Sequence, residues 1–109
     1  MPGGFGMKLK RLLGEVSKSL NLRGNVKIRV KPLKGKVASI SHRSGTIYLN
    51  KKCLEVLTEE EIKFVLAHEL LHLKHGKFHT LSFEKELIGL FGKDLTPLIN
   101  RKMLKNTTE

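Results

Sequence analysis

The chain of 109 residues is long enough for one domain, whose core can bury about two-thirds of the surface that the unfolded chain exposes. Its 21 Lys and Arg outnumber 10 Asp and Glu, which gives a formal net charge of +11, and its 39% hydrophobic content excludes a disordered basic tail. The single cysteine, Cys53, excludes an intramolecular disulfide framework and a metal cluster held by cysteines alone.

Neither a membrane span nor a secretion signal is evident in the sequence. No apolar run approaches the roughly 18 residues of a transmembrane helix, and the Gly-rich residues 1–6 lack the apolar centre of a signal peptide. We therefore expect a soluble, cytoplasmic protein with a single domain over residues 1–109. Residues 1–6 are expected to be an irregular lead, native or not, since Met7 would also serve as a start.

The excess positive charge lies in the first half of the chain. Residues 1–57 hold 13 Lys or Arg and 2 acidic residues, whereas residues 58–109 hold 8 of each. Such asymmetry indicates a polyanionic partner, such as nucleic acid, or an acidic substrate. A third interpretation is a Lys-rich, thermophile-type surface that has no polyanionic partner.

A helix followed by a basic strand is predicted at the start of the chain. Apolar residues spaced by three and four predict a helix over residues 7–20, which Asn21 and Gly24 can end. Its apolar stripe consists of Leu9, Leu12, Leu13, Val16 and Leu20. Residues 26–31 then alternate between apolar and basic side chains, which predicts a strand with one apolar and one basic face. The basic face consists of Lys27, Arg29 and Lys31, which could also protect a sheet edge from pairing.

The segments that follow predict a hairpin and a short helical turn. Residues 37–41 and 46–50 are each predicted to form a strand. The turn signal Ser44-Gly45 between them indicates that the two strands pair as a hairpin. A short helical turn is predicted within residues 50–57.

Three helices are predicted in the second half of the chain. Thr58 and Glu61 match a capping box, so the helix with the clearest start begins there and runs to Gly76. A further helix covers residues 80–91, and Thr96-Pro97 starts a last short helix before a polar tail. The predicted fold class is α+β, with an N-terminal helix, a small three-stranded sheet, the well-capped helix, a following helix and a short C-terminal helix and tail.

The sequence His68-Glu69-Leu-Leu-His72 lies inside the well-capped helix. Histidines four residues apart share a helix face, about 6 Å apart along the axis, so both imidazoles can point at one zinc ion. Glu69 can act as general base on a zinc-bound water, which then attacks a peptide carbonyl. The motif predicts a zinc-dependent metallopeptidase with one catalytic zinc ion and peptide or protein substrates.

A catalytic zinc site needs a third protein ligand and an open fourth position. His79 is the first candidate, because a chain reversal after the motif helix would return it over the metal. Glu84 and Glu86 are the alternatives, and a carboxylate that does not bind the metal would orient a ligand imidazole. His75 lies about 10 Å along the helix axis from His68, which is too far for a common tetrahedral site.

Hydrolysis also needs a group that stabilises the tetrahedral oxyanion. His42 in a turn and Tyr48 on a strand are the other side chains able to reach a reacting carbonyl, and each also has an ordinary structural role. Cys53 is expected to be a small buried hydrophobe and not a zinc ligand.

Several segments resemble the catalytic core of the zincin metallopeptidases, most closely the soluble core of the HtpX and CAAX-protease type. They are the run Gly-Thr-Ile-Tyr-Leu-Asn from Gly45, then Leu54, and the nineteen-residue stretch from Thr58 that contains the motif. In length, in the order helix, strands, motif helix and helix, and in a histidine after the motif, the chain is similar to the minigluzincins, and the match covers residues 37–91. The segment His79-Thr-Leu-Ser-Phe83 also resembles the third-ligand segment of SprT-like and YgjP-like proteins.

The resemblance implies zinc ligation by His68, His72 and His79 and general-base catalysis by Glu69. The chain lacks the Glu-x-x-Ala-Asp segment of the membrane relatives, which supports His79 over a glutamate as third ligand. Minigluzincins are described as latent through C-terminal segments that cover the active site. Residues 94–109 are the segment available for that role here, either within one chain or through a dimer or oligomer.

The resemblance also implies that an extended substrate pairs with the strand at the rim of the cleft, for which residues 46–50 are our prediction.

The rival hypothesis is a basic nucleic-acid-binding module with structural zinc, or a SprT-like protease recruited to DNA. The module would need four filled ligand positions, whereas the sequence offers three convincing ones.

Overall fold

A computed structural model describes residues 2–22, 24 and 26–105 of the chain. Its elements are, in chain order, α1 (Pro2–Ser19), β1 (Lys27–Lys31), β2 (Ala38–Ser41), β3 (Thr46–Asn50), α2 (Cys53–Val56), α3 (Glu59–His75), α4 (Leu81–Phe91) and α5 (Thr96–Lys105). The predicted α+β class is confirmed, since this part of the chain forms helices around one three-stranded sheet. Within the same residues, no helix combines the length and hydropathy that a membrane span requires.

Helix α1 begins earlier than its apolar stripe predicts. Residues 2–6, which were expected to form an irregular lead, are helical. Pro2 suits a helix start, because the N–H that it lacks would have no intrahelical partner there. Asn21 ends the helix as predicted, with a left-handed φ of 57°, and the Leu22 N–H donates to the Ser17 carbonyl at 2.9 Å. Residue 1 lies outside the described residues.

Strand β3 is the centre of the sheet. It pairs antiparallel with β2, which confirms the predicted hairpin, and parallel with β1, so the strand order is β1-β3-β2. Ile47 lies opposite Ile40 of β2 and opposite Ile28 of β1. Strands β1 and β2 therefore each occupy an edge of the sheet.

The two faces of the sheet differ in polarity. The inner face is apolar, and its central residues Ile47 and Leu49 are fully buried. Leu9 of α1 and Ile28 line one cavity below the sheet, and Ala38 lines another together with Val65 of α3, so both helices lie on this face. The predicted apolar face of β1 is only partly covered, because β1 is an edge strand. Its Val30 is 37% exposed.

Helix α3 begins and ends where the sequence predicts. The Thr58 N–H donates to Glu61 Oε1 at 2.8 Å, and the Glu61 N–H donates to Thr58 Oγ1 at 3.2 Å, which completes the capping box. Gly76 stops the helix with a φ of 93°, a region that favours glycine. The apolar residues of α3 that are buried are Ile62, Phe64, Val65, Leu66, Ala67, Leu70 and Leu71.

Helices α4 and α5 also follow the prediction. Thr80 caps α4 by accepting a hydrogen bond from the Phe83 N–H at 3.2 Å, and Gly92 ends it in the left-handed region with a φ of 79°. Helix α5 extends to Lys105, and residues 106–109 of the predicted polar tail lie outside the described residues. The side chains that α5 and its lead-in add to the core are Leu95, Ile99 and Met103.

A mostly buried ion pair joins α5 to the first turn of α3. Both carboxylate oxygens of Glu61, a residue that is 4% exposed, accept hydrogen bonds from Lys102 Nζ at 2.8 Å. Burial raises the pKa of Glu61, but Lys102 and the Thr58 N–H outweigh it, so the pKa is lowered overall. The ion pair therefore stabilises the fold above the ordinary carboxyl pKa of 4.5, and this stability is lost as the pH falls through the lowered value.

We predict that Glu61→Gln lowers the free energy of unfolding at pH 7 by roughly 1–3 kcal/mol, because a hydrogen-bonded carboxylate and its ion pair are lost. The difference from the wild-type chain should shrink as the pH falls through the lowered pKa of Glu61, where the wild-type carboxylate also becomes protonated. Urea unfolding at pH 7 and at a series of acidic pH values measures both effects. Glu60→Gln, at the exposed neighbouring position, is the matched control. Equal destabilisation by the two substitutions at pH 7 would contradict the assignment.

Candidate metal centre

Helix α3 carries the motif residues His68, Glu69 and His72. Leu70 and Leu71, which separate Glu69 from His72, are fully buried and fix the rotation of the helix about its axis. His68 and His72 are half-buried, and Glu69 is 8% exposed. The same helix thus supplies core side chains and polar side chains from consecutive positions.

Three imidazoles converge beside α3. One ring nitrogen from each of His68, His72 and His79 lies within 4.8 Å of those of the other two. The Nε2 atoms of His72 and His79 are 3.1 Å apart, and the ring centroids of His68 and His79 are 4.9 Å apart. Three nitrogen donors in such a cluster fit a transition metal, and they match the three protein ligands of a catalytic zinc site.

The chain reversal at Gly76 brings His79 to the motif helix. The Gly76 carbonyl lies 2.9 Å from His72 Nδ1, so a proton on Nδ1 would leave Nε2 free for a metal. Thr80 then starts α4 directly after His79. The fully buried Phe83 of α4 lies beneath the cluster, with its ring centroid 4.8–5.2 Å from the centroids of the three imidazoles.

The surroundings of His68 favour its neutral imidazole, the form that binds metals. Burial, followed by the nearby His72 and His79, lowers the pKa of His68 to about 4. Asp94, in the lead-in to α5, acts in the opposite direction on His68. The pKa of Asp94 is itself lowered, first by the Thr96 side chain and then by the Thr96 N–H, which donates to Asp94 Oδ1 at 2.9 Å. Neutral His68 is therefore ready to coordinate a metal at any pH well above 4.

Glu69 faces a cleft of about 240 Å³ next to His68. The cleft runs between α3, the start of β2 and the first turn of α5. Its lining residues besides His68 and Glu69 are Lys36, Val37, Ala38, Phe64, Val65, Thr96, Ile99 and Asn100. Burial raises the pKa of Glu69, and the charges of His72 and Lys36 lower it by less. A carboxylate of raised pKa beside a metal-binding cluster is suited to accept and return a proton.

The glutamates proposed as alternative third ligands are not part of the cluster. Glu86 instead joins α4 to α3, because its carboxylate accepts hydrogen bonds from Lys74 Nζ and from His75 Nε2, each at 2.7 Å. This pairing gives His75 a structural role, and His75 lies outside the group of three histidines. Glu84 is likewise absent from that group.

The structure does not bring His42 or Tyr48 to the cluster. His42 is exposed in the turn between β2 and β3. Tyr48 alternates with the buried Ile47 and Leu49, so it lies on the outer face of the sheet, and Lys31 Nζ is 4.5 Å from its ring centroid. Cys53 is fully buried, where its Sγ lies 3.6 Å from the Val37 carbonyl and burial raises its pKa to about 12.

The predicted rim strand is wrong. Residues 46–50 form β3, which is the central strand and has no free edge for a substrate. The strand beside α3 is β2, because Ala38 lines the same cleft as His68 and Glu69. Hydrophobic alternation identifies a strand and its buried face, but it does not give the order of strands in a sheet.

Sequence reasoning missed three contributors to the site, namely Lys36, Asp94 and Asn100. Lys36 and Asn100 line the cleft, and Asp94 lies near enough to His68 to affect its pKa. Asp94 has a local signal, because an acidic residue two positions before a helix-starting Thr is typical of a side-chain turn. The other two have none, since their position depends on how distant elements pack.

Comparison with known proteins is consistent with this geometry. Residues 5–92 match the sequence model of the YgjP-like, metallopeptidase domain family. The uncharacterized protein MJ1213 of Methanocaldococcus jannaschii is 50% identical over 101 residues, covering 86% of this chain and 92% of the relative. The uncharacterized protein aq_aa15 of Aquifex aeolicus is 43% identical over 98 residues, covering 90% of this chain and 89% of the relative.

Two solved structures share the fold. One is the metallopeptidase zymogen of Pyrococcus abyssi abylysin, with a TM-score of 0.78, 33% identity and coverage of 92% of this chain and 95% of that chain. The other is the metallopeptidase zymogen of Methanocaldococcus jannaschii jannalysin, with a TM-score of 0.77, 34% identity and coverage of 91% and 89%. The resemblance to minigluzincin-type zincins predicted from the motif is thereby confirmed.

We predict that His79→Ala lowers zinc affinity by more than about 100-fold, since even the loss of an outer-shell partner of a ligand costs 10- to 100-fold. His75→Ala is the matched control, because His75 is a nearby histidine that pairs with Glu86 and should leave zinc affinity unchanged. Competition with a chromophoric chelator measures the affinity, and circular dichroism verifies folding. Equal zinc affinity in His79→Ala and the wild-type chain would exclude His79 as a ligand.

Proposed function

The chain belongs to the YgjP-like metallopeptidase family, and from this premise we propose that it is a zinc-dependent endopeptidase whose active site is held latent by its own C-terminal segment. The observation that carries the proposal is the convergence of three imidazoles beside the buried carboxylate of Glu69, at the wall of a cleft. In this proposal His68, His72 and His79 hold the zinc, and Glu69 is the general base.

The proposed roles follow from the surroundings of each side chain. A bound zinc ion would supply Lewis acidity and lower the pKa of a coordinated water. Glu69 accepts the proton of the attacking water and returns it to the amine nitrogen that leaves. The hydrogen bond between His72 and the Gly76 carbonyl holds the ring nitrogen Nε2 towards the ligand cluster. The apolar side chains of the cleft, among them Val65 and Ile99, exclude water from one side of the reacting peptide.

A purely structural zinc site is less well supported. Such a site fills four ligand positions, whereas the residues that the structure describes supply a cluster of three histidines. The fourth position then remains for water or substrate, which is the arrangement of a catalytic site.

Latency is proposed because α5 forms one wall of the cleft. Thr96, Ile99 and Asn100 of its first turn lie opposite Val37 and Ala38, beside Glu69. The cleft volume of about 240 Å³ is below the range of about 300–1,000 Å³ that is usual for ligand sites. An extended substrate would need α5 to move, and the zymogens of abylysin and jannalysin make such a latent state a reasonable inference.

The burial of α5 against its own chain supports inhibition in cis. Ile99 and Met103 are buried in the core of the same chain, and Lys102 pairs with Glu61. Residues 94–105 therefore have two functions in the proposal, completing the core and restricting access to Glu69.

We predict that Lys102→Met raises peptidase activity, because α5 then loses its ion pair with Glu61 while the aliphatic packing is kept. A loss of about 1.4 kcal/mol from the closed state corresponds to about a tenfold increase in the open population. Cleavage of fluorescently quenched casein by the zinc-loaded full chain measures the change. Arg101→Met, at an exposed position of α5, is the matched control and should leave activity unchanged. If Lys102→Met and Arg101→Met behave alike, α5 does not restrict access through this contact.

We predict that Glu69→Gln, introduced together with Lys102→Met, reduces cleavage by about 10²- to 10⁴-fold, as expected for the loss of a general base. Zinc content should stay at one ion per chain, because Glu69 is not one of the proposed ligands. Glu84→Gln serves as the control carboxylate outside the cluster. Normal cleavage by zinc-loaded Glu69→Gln would refute the assigned role.

A further inference from the structure

The outer face of the sheet carries a basic surface that the proposed peptidase activity does not use. We call it the basic sheet face, and it consists of Lys27, Arg29 and Lys31 of β1, Tyr48 of β3, and Ser39 and Ser41 of β2. These side chains share one face, because each alternates with an inward-facing apolar residue of its strand. All three cations are exposed, and the other three side chains are half-buried, so no described helix covers this face.

Among the described residues, no ion pair involves a cation of the basic sheet face. The sequence between Glu15 and Glu55 contains ten Lys or Arg and no acidic residue. Across the residues that the structure describes, the ion pairs involve Lys8, Arg11, Lys63, Lys74, His75 and Lys102, none of which lies on the sheet. The acidic residues that form these ion pairs bind cations of the helices, so the basic sheet face is left with an uncompensated positive potential.

Protection of a sheet edge does not account for the whole surface. Strand β1 is an edge strand, and one or two lysines on such a strand suffice to discourage pairing with another chain. Here every outward position of β1 is cationic, with successive charges about 6.6 Å apart along the strand. The polar surface continues from β1 across the sheet, because Arg29 lies opposite Tyr48, and Tyr48 lies opposite Ser39.

Tyr48 adds an aromatic surface in the middle of these charges. It is the only tyrosine of the sequence, and the ring is open enough on its outer side for Lys31 Nζ to lie 4.5 Å from the centroid. A ring that accepts a cation in this way can also stack with a planar base, in which case Lys31 would be free to contact a phosphate.

We propose that the basic sheet face binds single-stranded nucleic acid, with phosphates on Lys27, Arg29 and Lys31 and a base stacked on Tyr48. An exposed sheet face with a row of cations beside an aromatic ring is suited to a single strand, whose bases are accessible, whereas duplex recognition places a helix or a ribbon in a groove. This binding function goes beyond the proposed hydrolysis. The surface lies on the opposite side of the sheet from α3 and the metal centre, so the two functions can be tested separately.

Binding of the full chain to fluorescein-labelled oligo(dT), measured by anisotropy at several salt concentrations, tests the proposal. The triple variant Lys27→Gln, Arg29→Gln and Lys31→Gln should bind at least tenfold more weakly at low salt. Its slope of log affinity against log salt should be smaller in magnitude by about 2, since three phosphate contacts each contribute about 0.7. Tyr48→Leu should weaken binding about fivefold or more and leave the salt slope unchanged, because stacking involves no counterion release.

The matched control is Lys85→Gln, Arg101→Gln and Lys93→Gln, which removes the same charge from exposed positions outside the sheet. Its affinity and salt slope should match those of the wild-type chain. Circular dichroism verifies that each variant is folded, and Tyr48→Phe, which keeps the ring, should bind as the wild-type chain does. The proposal is overturned if oligo(dT) does not bind at low salt, if the control weakens binding as much as the triple variant, or if duplex DNA or polyglutamate binds as tightly as the single strand.

Discussion

The burial of helix α3 is the constraint on which the rest of the structure depends. Seven of its apolar residues are buried, and they meet α1, the inner face of the sheet and α4. Because Leu70 and Leu71 are fully buried, the rotation of the helix is set by packing and not by the polar residues Glu69 and His72 on either side of them. That rotation directs His68 and Glu69 towards the cleft. A peptidase site built this way needs little chain, since one helix provides both core and chemistry.

Helix α5 connects stability with access to the site. Its apolar side chains complete the core, while its first turn narrows the cleft beside Glu69. The Glu61–Lys102 ion pair contributes to both roles, because it joins α5 to the capping box that starts α3. In a chain of 109 residues, the segment that forms one wall of the cleft also buries hydrophobic surface. In the proposed latent form, an opening of the site by movement of α5 would therefore cost part of the stability of the fold.

Acidic and basic side chains are distributed differently between the helices and the sheet. In the described residues, acidic side chains pair with cations from neighbouring helices, as Glu59 does with Lys8 and Arg11, and Glu86 with Lys74. The sheet has no acidic residue at all. The net charge of +11, which as a single number indicates only a polyanionic partner or an acidic substrate, arises in the first half of the chain, where three of the cations share one face of the sheet.

The sequence by itself determined the features that depend on neighbouring residues. Four such features could be predicted, because they depend on contacts within a few residues. They are the capping box at Thr58, the helix stop at Gly76, the hairpin of β2 and β3, and the spacing of His68 and His72. Tertiary structure alone decided the strand order, which makes β2 and not β3 the strand beside the cleft. It also brought His79 to the motif histidines, paired Glu86 with Lys74 and His75, and set α5 against Glu69. These arrangements depend on how buried faces pack over long chain separations, which no local pattern of residues encodes.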